Sequence, residues 1–484
     1  MSVVQLETED LPDRILAGAT WLHAASGGDF PHVNPATGRV QRSVPLAGAA
    51  EIGDAVGAAR VALPSWRDVG GAGRRRALSN LADLVRRDRD GLAAVTTAEV
   101  GIPISMAPFS VDFAADWIEE SARWADRLGG EVLPSAPGDL IYTQADPLGV
   151  VGALTTWNGP IAAFAMAVAP ALAAGCTVVV KPSELAPFGA LRIAQLCAEA
   201  GIPPGVVSVL PGRAEAGEAL VGHPGIDKVV FTGSPPTARL IAAACAQHLT
   251  PTLFELGGKS AVIVCADADL DRVVSSVLGL SFAAGQSCTL GSRLVVHRSV
   301  VGELTDRLVA AFESLRQGNP ADPATMLGPV INDAACERIL GLIDRARGYG
   351  RVVTGGERRG GELAEGFFIA PTLVDRIDNS SELARTEAFG PLVGLLEYGD
   401  DAEAVRIAND SEYGLAGYVF TADASRAHRL AAQFDVGSVT VNGGTVPISA
   451  QAPFGGRKSS GHGKQGGLAG VLEFTSTKSI QIVS

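Results

Sequence analysis

The chain has 484 residues, a length that predicts about two to four domains. Apolar residues make up 47% and charged residues 19%, which is typical of a globular protein with large cores. The formal net charge is −13, and this argues against a nucleic-acid partner, because phosphate binding needs clustered Lys and Arg.

Cysteine usage and the N-terminal segment bear on the compartment. The six cysteines are widely spaced and form no C-x-x-C pair, so we expect neither a zinc site nor another metal site. A sparse, unpatterned set of cysteines is typical of a reducing cytoplasm. The first residues, MSVVQLETEDLPDR, are acidic and contain no apolar run, so we expect no secretory signal and a cytoplasmic location.

Helical periodicity dominates the first part of the chain, over residues 50–63 and 73–100. The uncharged run at 161–180 is long enough to span a bilayer. Pro170 and Gly175 interrupt this run, and its end, TVVVK, is typical of a strand. We therefore predict a buried helix followed by a buried strand, and no membrane partner.

Strands and helices alternate from residue 147 onward. The predicted strands are 150–156, 177–181, 206–210, 228–231 and 260–264, and the clearest helices between them are 189–201 and 236–248. A second set has strands at 292–297 and 437–442, helices at 300–316 and 333–347, and a terminal strand at 473–484 that pairs with another element or subunit. Continuous apolar strands that alternate with helices predict parallel sheets covered on both faces.

Polar side chains follow several of these strands, where open α/β sheets bind ligands. Asn158 in TTWNGP could donate a hydrogen bond to an oxyanion, or simply end a strand. Lys181 and Glu184 in KPSE could bind ribose hydroxyls, or form a solvated strand end. Gly233 and Ser234 precede a helix, and a helix N-terminus suits a phosphate.

Two further motifs suggest catalysis. Glu255 in FELGGKS could be a general base or an ordinary turn acid. Cys288 in SFAAGQSCTLGSR could be a nucleophile or a small core residue. The G-x-G-x-x-G spacing at 461–466 has no convincing strand before it, and we predict a loop there.

The order WN, KPSE, FTGS, ELGGK, GQSC, EAFGP and PFGGRKSSG resembles the NAD(P)-dependent aldehyde dehydrogenase superfamily, nearly end to end from NPATG at 34–38. The resemblance implies an α/β fold with a Rossmann-like cofactor domain at 1–127 and 148–256. It also implies an α/β catalytic domain at 257–448. A small β oligomerisation arm and C-terminal segment, at 128–147 and 449–484, would build a homodimer or homotetramer.

The resemblance also implies a role for each motif residue. Cys288 matches the nucleophile, Glu255 the general base and Asn158 the side-chain half of the oxyanion hole. The implied cofactor-binding residues are Trp157, Lys181, Ser183, Glu184, Gly212, Gly233, Ser234, Gly257, Glu387 and Phe389. A carboxylate at Glu184 would accept a hydrogen bond from a ribose 2′-OH and repel a 2′-phosphate, which favours NAD and leaves NADP open.

Three positions depart from the usual pattern of this family. Thr156 stands before WN where Pro is frequent, and Ala238 stands where a Gly is common after FTGS. Ala283 stands two residues before the Gly of GQSC, where Asn is usual, and it could loosen the loop that carries Cys288. None of the three removes a proposed catalytic group.

These residues predict the oxidation of an aldehyde to an acid through a thioester on Cys288. Glu255 favours hydrolysis of that thioester over transfer to coenzyme A. We see no basic cluster for a substrate carboxylate, and small or apolar residues predict a roomy tunnel for a medium-to-large apolar aldehyde: Gly159, Ala162, Ala163, Ala165, Val446 and Ile448.

Two alternatives remain at this point. A catalytically impaired NAD-binding or structural family member would be expected to lack Cys288, Glu255 or Asn158, and all three are present. A cysteine acyltransferase or hydrolase would need a histidine paired with the thiol. The nearest histidine in sequence is His297, which lies in a predicted strand.

Overall fold

The computed structural model describes residues 10–444 and 449–483. The helices in these ranges are α1 (Ala49–Asp68), α2 (Gly70–Arg87), α3 (Arg89–Val100), α4 (Ala107–Trp124), α5 (Pro160–Ala174), α6 (Phe188–Glu199), α7 (Ala214–Val221), α8 (Pro235–Ala246), α9 (Leu270–Val277), α10 (Val301–Ser314), α11 (Asp333–Ala346), α12 (Glu382–Arg385), α13 (Asp401–Asn409), α14 (Ala424–Gln433) and α15 (Gly467–Leu472).

The strands are β1 (Ile15–Ala17), β2 (Thr20–Leu22), β3 (Asp29–Asn34), β4 (Arg39–Pro45), β5 (Val132–Leu133), β6 (Leu140–Pro147), β7 (Val150–Leu154), β8 (Thr177–Lys181), β9 (Val207–Val209), β10 (Lys228–Gly233), β11 (Thr252–Leu256), β12 (Ala261–Val264), β13 (Arg293–His297), β14 (Arg351–Thr354), β15 (Thr372–Asp375), β16 (Leu392–Tyr398), β17 (Tyr413–Gly414), β18 (Ala416–Phe420), β19 (Ser438–Val441), β20 (Arg457–Lys458), β21 (Gly461–His462) and β22 (Thr475–Ile482).

The first large sheet has the strand order β2-β1-β9-β8-β7-β10-β11-β21. Strands β9, β8, β7, β10 and β11 run parallel, and antiparallel strands close both edges. The apolar runs of β7 and β8 are buried, and α1 and α5 pack against β8. This is the covered parallel sheet that continuous apolar strands predict.

A second large sheet has the order β14-β15-β16-β13-β12-β18-β19 and is parallel except at β14. Each large sheet lies in its own hydrophobic cluster. A third, small sheet has the order β22-β6-β5. Strand β22 pairs with β6 along its whole length, from Thr475 opposite Pro147 to Ile482 opposite Leu140, so the terminal strand finds its partner in another element.

Some predicted boundaries were wrong. Residues 73–100 form two helices, because the backbone leaves helical geometry at Asp88, whose carboxylate accepts a hydrogen bond from Arg192 at 2.7 Å. Strand β7 ends at Leu154, and β10 continues to Gly233 because it pairs with β11. The segment predicted as a loop contains β21, which pairs with the outer edge of β11 and places Gly461 opposite Glu255.

The uncharged run at 161–180 is confirmed as helix α5 followed by strand β8. Both elements are buried in the first hydrophobic cluster. Among the residues described, none of the helices combines the length and the apolar character needed to cross a membrane.

Candidate active site

The candidate site lies at the carboxyl edge of the first large sheet. Strands β8, β7, β10 and β11 are neighbours and run parallel, so their ends meet at one edge. Lys181 ends β8, Asn158 follows β7, Gly233 ends β10 and Glu255 lies one residue before the end of β11. Strand order therefore brings together motifs that are far apart in sequence.

The loop that carries Cys288 has an unusual backbone. Ala283, Ala284 and Gly285 follow one another with φ angles of 67°, 49° and 72°. The side chain of the fully buried Gln286 anchors this loop: its Nε2 donates to the carbonyl of Ala283 at 2.9 Å, and its Oε1 accepts from the backbone N–H of Ile331 at 2.9 Å. The loop is therefore held in place by a side chain two residues before the thiol.

Cys288 is half-buried, whereas the other five cysteines are buried. Burial, and to a smaller extent the charges of Glu387 and Glu255, raises the pKa of the Cys288 thiol to about 12. The backbone N–H groups of Cys288 and Thr289 act in the opposite direction but do not outweigh burial. The thiol is therefore neutral near pH 7, and these N–H dipoles alone do not activate it.

Glu255 is almost completely buried, with 4% of its surface exposed. Neither carboxylate oxygen accepts a hydrogen bond from any residue that the structure describes. Burial raises the pKa of Glu255 well above its usual range, while the Lys464 ammonium opposes this shift and Glu473 adds to it. An unsatisfied carboxyl group whose charge acts on Cys288 is suited to exchange a proton with a water near the thiol.

The amide of Asn158 reaches the same loop. Its Nδ2 donates to the backbone carbonyl of Gln286 at 2.8 Å, and its Oδ1 accepts from the hydroxyl of Thr156 at 3.0 Å. One amide N–H is thus used within the protein, and the second is available to another acceptor.

Trp157, Gly257, Glu387 and Phe389 lie in two contacting pairs. The rings of Trp157 and Phe389 meet edge to face at 5.4 Å, and Phe389 has a left-handed φ of 47°. Glu387 packs over Gly257 and accepts from the N–H of Gly258 at 2.8 Å. Burial raises the pKa of Glu387 to about 7.

The KPSE residues lie at the end of β8. Lys181 Nζ donates to the carbonyl of Gly212 at 2.6 Å and to that of Pro182 at 3.3 Å, and Ser183 Oγ accepts from Leu185 N–H at 3.2 Å. The half-buried Glu184 carboxylate makes no hydrogen bond to the residues described here. A half-buried carboxylate whose charge acts on the nearby Lys181 ammonium fits a ligand with hydroxyl groups, such as a ribose.

The turn after β10 differs from a simple phosphate-binding helix start. Ser234 precedes α8, and the first two helical residues are Pro235 and Pro236, which have no N–H. The hydroxyls of Ser234 and Thr237 lie 3.0 Å apart beside these prolines. Hydroxyl groups therefore partly replace the backbone donors that a phosphate would otherwise meet.

Among the described residues there is neither a metal-binding cluster nor a contact that pairs His297 with Cys288. They contain no cluster of three or more His, Cys, Asp or Glu side chains that could hold a metal ion. His297 lies at the end of β13, where its Nδ1 is 2.7 Å from Ser299 Oγ and its ring packs on Tyr398. These contacts do not pair His297 with Cys288.

Comparison with known proteins identifies the family. The profile of the aldehyde dehydrogenase family matches residues 21–480. The chain belongs to the aldehyde dehydrogenase family. A geranial dehydrogenase from Castellaniella defragrans is 38% identical over 474 residues, which cover 97% of this chain and 98% of the relative.

Solved structures agree with this assignment and with the fold. Betaine aldehyde dehydrogenase from Staphylococcus aureus, in complex with NAD+, is 33% identical with a TM-score of 0.95, covering 98% of this chain and 95% of that one. PnpE from Pseudomonas sp. WBC-3 is 35% identical with a TM-score of 0.95, covering 97% of each chain. The α/β fold and the family resemblance are confirmed.

This aldehyde dehydrogenase has a cleft of about 440 Å³ beside α4. Phe109, Phe113 and Trp117 follow one another along α4, with ring centroids 6.4 Å and 5.1 Å apart. Phe282 meets Phe109 edge to face at 5.8 Å, six residues before Cys288. A second cavity of about 160 Å³ touches Thr289 and shares Ser449 with the cleft.

Charged residues form the rim of the cleft, including two arginines that the sequence analysis did not anticipate. Arg86 pairs with Asp116 at 3.0 Å, Arg123 approaches Glu119 at 3.8 Å, and Asp112 pairs with Arg89 at 2.7 Å. Each rim charge therefore has an opposite partner, so the rim offers neither sign of charge to a ligand without breaking a pair.

The predicted wall of small residues is only partly accessible in this aldehyde dehydrogenase. Ala165 is fully buried and Ala163 is 9% exposed, so both pack within the core. Gly159 is half-buried, and a Cβ there would make ordinary van der Waals contact with Ala162 at 3.8 Å. Val446 and Ile448 lie outside the described residues.

Sequence reasoning missed the aromatic residues of α4 and the hydrogen bond from Thr156. Phe109, Phe113 and Trp117 are spaced four residues apart, which is the spacing of one helix face, so this pattern could have predicted the aromatic face of α4. The hydrogen bond from Thr156 depends on the orientation of its side chain, which no local sequence pattern predicts.

Proposed function

We propose that this chain oxidises a medium-to-large apolar aldehyde to the carboxylic acid with NAD, using Cys288 as nucleophile and Glu255 as general base. The observation that carries the proposal is the convergence of three groups at one sheet edge. Asn158 bonds the loop of Cys288, and the backbone of Gly258, three residues after Glu255, packs against the Cys288 carbonyl. Membership of the aldehyde dehydrogenase family supports the reaction class.

In the first half-reaction, Cys288 Sγ bonds to the carbonyl carbon, and the thiol proton leaves to a neighbouring water. The carbonyl oxygen becomes an oxyanion, which accepts hydrogen bonds from the free N–H of Asn158 and the backbone N–H of Cys288. Loss of one such donor typically costs roughly 3 kcal/mol of transition-state stabilisation. NAD, when bound, supplies the hydride acceptor that converts this adduct to a thioester.

In the second half-reaction, Glu255 takes a proton from a water that attacks the acyl carbon. The carbon–sulfur bond breaks, and Cys288 leaves as a thiolate that is protonated again. The carboxyl group at Glu255 supports hydrolysis rather than acyl transfer to coenzyme A.

We assign the predicted cofactor-binding residues to three parts of NAD. Lys181, Ser183 and Glu184 would hold the adenosine ribose, and Gly212, Gly233 and Ser234 would lie at the pyrophosphate. Trp157, Gly257, Glu387 and Phe389 would surround the nicotinamide and its ribose. The half-buried carboxylate of Glu184 and the two relatives crystallised with the dinucleotide support this arrangement.

Cofactor preference tests the role of Glu184. We expect a higher kcat/KM with NAD than with NADP, because the carboxylate would repel a 2′-phosphate. Glu184→Gln should reduce the preference, measured as kcat/KM with NAD divided by kcat/KM with NADP. Glu199→Gln, at an exposed position in α6, should leave this preference unchanged. Equal kcat/KM values for the two cofactors in the wild type would refute the preference.

The substrate proposal follows from the aromatic cleft. Phe109 and Phe113 line this cleft, and Phe282 packs edge to face on Phe109 six residues before Cys288, so the cleft offers apolar surface next to the Cys288 loop. The charged residues at the rim of the cleft are paired with each other or with neighbours, so the rim does not favour the binding of a charged aldehyde. The activity named for the 38% identical relative, on geranial, also supports an apolar substrate.

A panel of geranial, decanal, benzaldehyde, acetaldehyde, succinic semialdehyde and betaine aldehyde tests the function. Each buried methylene contributes about 0.8 kcal/mol, so burial of roughly three to four of the extra carbons would raise kcat/KM for the long apolar aldehydes about 100-fold above that for acetaldehyde. Cys288→Ala should abolish NADH formation, and Cys197→Ala should retain it. No NADH from any aldehyde would favour the catalytically impaired alternative, and preference for a charged aldehyde would refute the substrate class.

We also propose that the chain is a cytoplasmic homodimer or homotetramer. The sheet β22-β6-β5 exposes Val132, Leu140 and Ile482, at 75%, 42% and 54%. A second copy would bury these side chains. The proposed domains are those of the resemblance: 1–127 with 148–256 for the cofactor, 257–448 for catalysis, and 128–147 with 449–484 for the arm.

A further inference from the structure

Thr156 and Asn158 lie on the short segment between β7 and α5. The Thr156 hydroxyl donates to Asn158 Oδ1 at 3.0 Å, and Asn158 Nδ2 donates to the Gln286 carbonyl at 2.8 Å. Both side chains are half-buried. The amide of Asn158 is therefore held at both ends, at its oxygen by one residue and at its nitrogen by another.

The two ends of an asparagine amide have opposite chemistry. The oxygen only accepts hydrogen bonds, and the nitrogen donates two. A rotation of 180° about the last side-chain bond would exchange the two ends and present an acceptor to the oxyanion. Such an orientation would repel the charge that forms when Cys288 attacks a carbonyl group.

We propose that Thr156 is a positioning residue that fixes the orientation of the Asn158 amide, so that its free N–H faces the oxyanion. The inference rests on the proposed function, since it takes Asn158 as the oxyanion donor. Gln286 connects the same amide to the loop of Cys288, because its side chain holds that loop through Ala283 and Ile331. The donor and the nucleophile are thereby kept in one hydrogen-bonded unit.

Thr156 stands where proline is frequent in the family that the sequence resembles. Proline has no hydroxyl and cannot donate to Asn158 Oδ1. A serine at the same position could donate, and a valine of nearly the same shape could not.

The test measures the rate constant of the first NADH burst at saturating aldehyde and NAD. Thr156→Val should slow the burst about three- to tenfold, the factor that corresponds to one neutral hydrogen bond. Thr156→Ser should restore a rate within about twofold of the wild type. Thr155→Val is the matched control, because the neighbouring Thr155 hydroxyl is buried and bonds none of the described residues.

Two further readouts separate positioning from a general structural effect. Burst amplitude and the rate of Cys288 alkylation by iodoacetamide should stay unchanged in Thr156→Val, since alkylation forms no oxyanion. In an Asn158→Ala background, Thr156→Val should have no additional effect on the burst. If Thr156→Val does not fold, Thr156→Ala replaces it with the same expectations.

The outcomes distinguish this inference from the proposed function. A wild-type burst rate in Thr156→Val, a proportional loss of alkylation, or an equal loss in the Asn158→Ala background would overturn the positioning role alone. A wild-type burst rate in Asn158→Ala would overturn the oxyanion role, and the positioning role with it. If the wild type produced no NADH with any aldehyde, both the proposed function and this inference would fall.

Discussion

Glu255 brings a carboxyl group into the core without giving it a hydrogen bond from any described residue. As a general base, Glu255 would act in the hydrolysis of the thioester and not in its formation. We therefore expect Glu255→Gln to keep the first burst of NADH and to slow steady turnover by about 10²- to 10⁴-fold. Pre-steady-state absorbance at 340 nm checks this, and equal burst and turnover rates in the variant would contradict the role.

The pH dependence of turnover should follow the ionisation of Glu255. Burial raises its pKa, so the carboxyl is protonated at lower pH and gains its basic form as the pH rises. We expect kcat of the wild type to increase with pH through this raised pKa, and the residual rate of Glu255→Gln to stay flat. A wild-type kcat that decreases over the same interval would contradict this assignment.

Ala283 stands where asparagine is usual in the family, and the conformation of its backbone bears on whether it loosens the loop that carries Cys288. A left-handed φ costs an alanine roughly 1–2 kcal/mol, and asparagine tolerates this region better. The structure places Ala283 and Ala284 in that region, at 67° and 49°. The two hydrogen bonds of the Gln286 side chain hold the loop despite this cost. The departure therefore affects stability more than the position of Cys288.

At the scale of elements, His32 in β3 joins the N-terminal hairpin to the KPSE loop. Its Nε2 lies 3.0 Å from the Leu185 carbonyl, and its Nδ1 lies 3.1 Å from Gln41. Burial lowers the pKa of His32 to about 4. Because the folded state favours the neutral ring, this contribution to stability is complete above the ordinary pKa near 6.5. It decreases as the pH falls towards 4.

Between pH 7 and pH 5, we expect the free energy of unfolding of the wild type to fall by about 2 kcal/mol relative to His32→Gln. The comparison between variants matters, because burial raises the pKa of nearby Glu99 to about 8 and gives that group the opposite pH dependence. Denaturant unfolding at both pH values measures the difference. The exposed His248→Gln is the control, and a pH-independent difference for His32→Gln would contradict the assignment.

At the scale of the whole molecule, the arm sheet β22-β6-β5 contributes no residue to either hydrophobic cluster. We expect the double substitution Val132→Asp and Ile482→Asp to reduce the assembly to smaller species, because charges would replace exposed apolar surface at the proposed interface. Light scattering after size-exclusion chromatography measures the mass. Val61→Asp, at an exposed position in α1, should keep the wild-type mass. A monomeric wild type would contradict the oligomer proposal.

The sequence by itself determined the strand–helix alternation, the family and the short motifs, because hydrophobic period and turn chemistry act over a few residues. It predicted β8 and the pairing of the terminal strand with another element. It did not predict the break at Asp88 or strand β21, because both depend on contacts with distant residues, Arg192 and Phe254.

Only the tertiary structure decided how the site is assembled. Strand order brings Asn158 and Glu255 to one edge, and the Asn158 amide is held by a local hydrogen bond from Thr156 and a long-range one to Gln286. Burial sets the ionisation of Glu255 and Cys288, because the pKa of a group depends on its surroundings in space and not on its neighbours in sequence. The residue types were readable in the chain, but their charges, orientations and separations follow from packing.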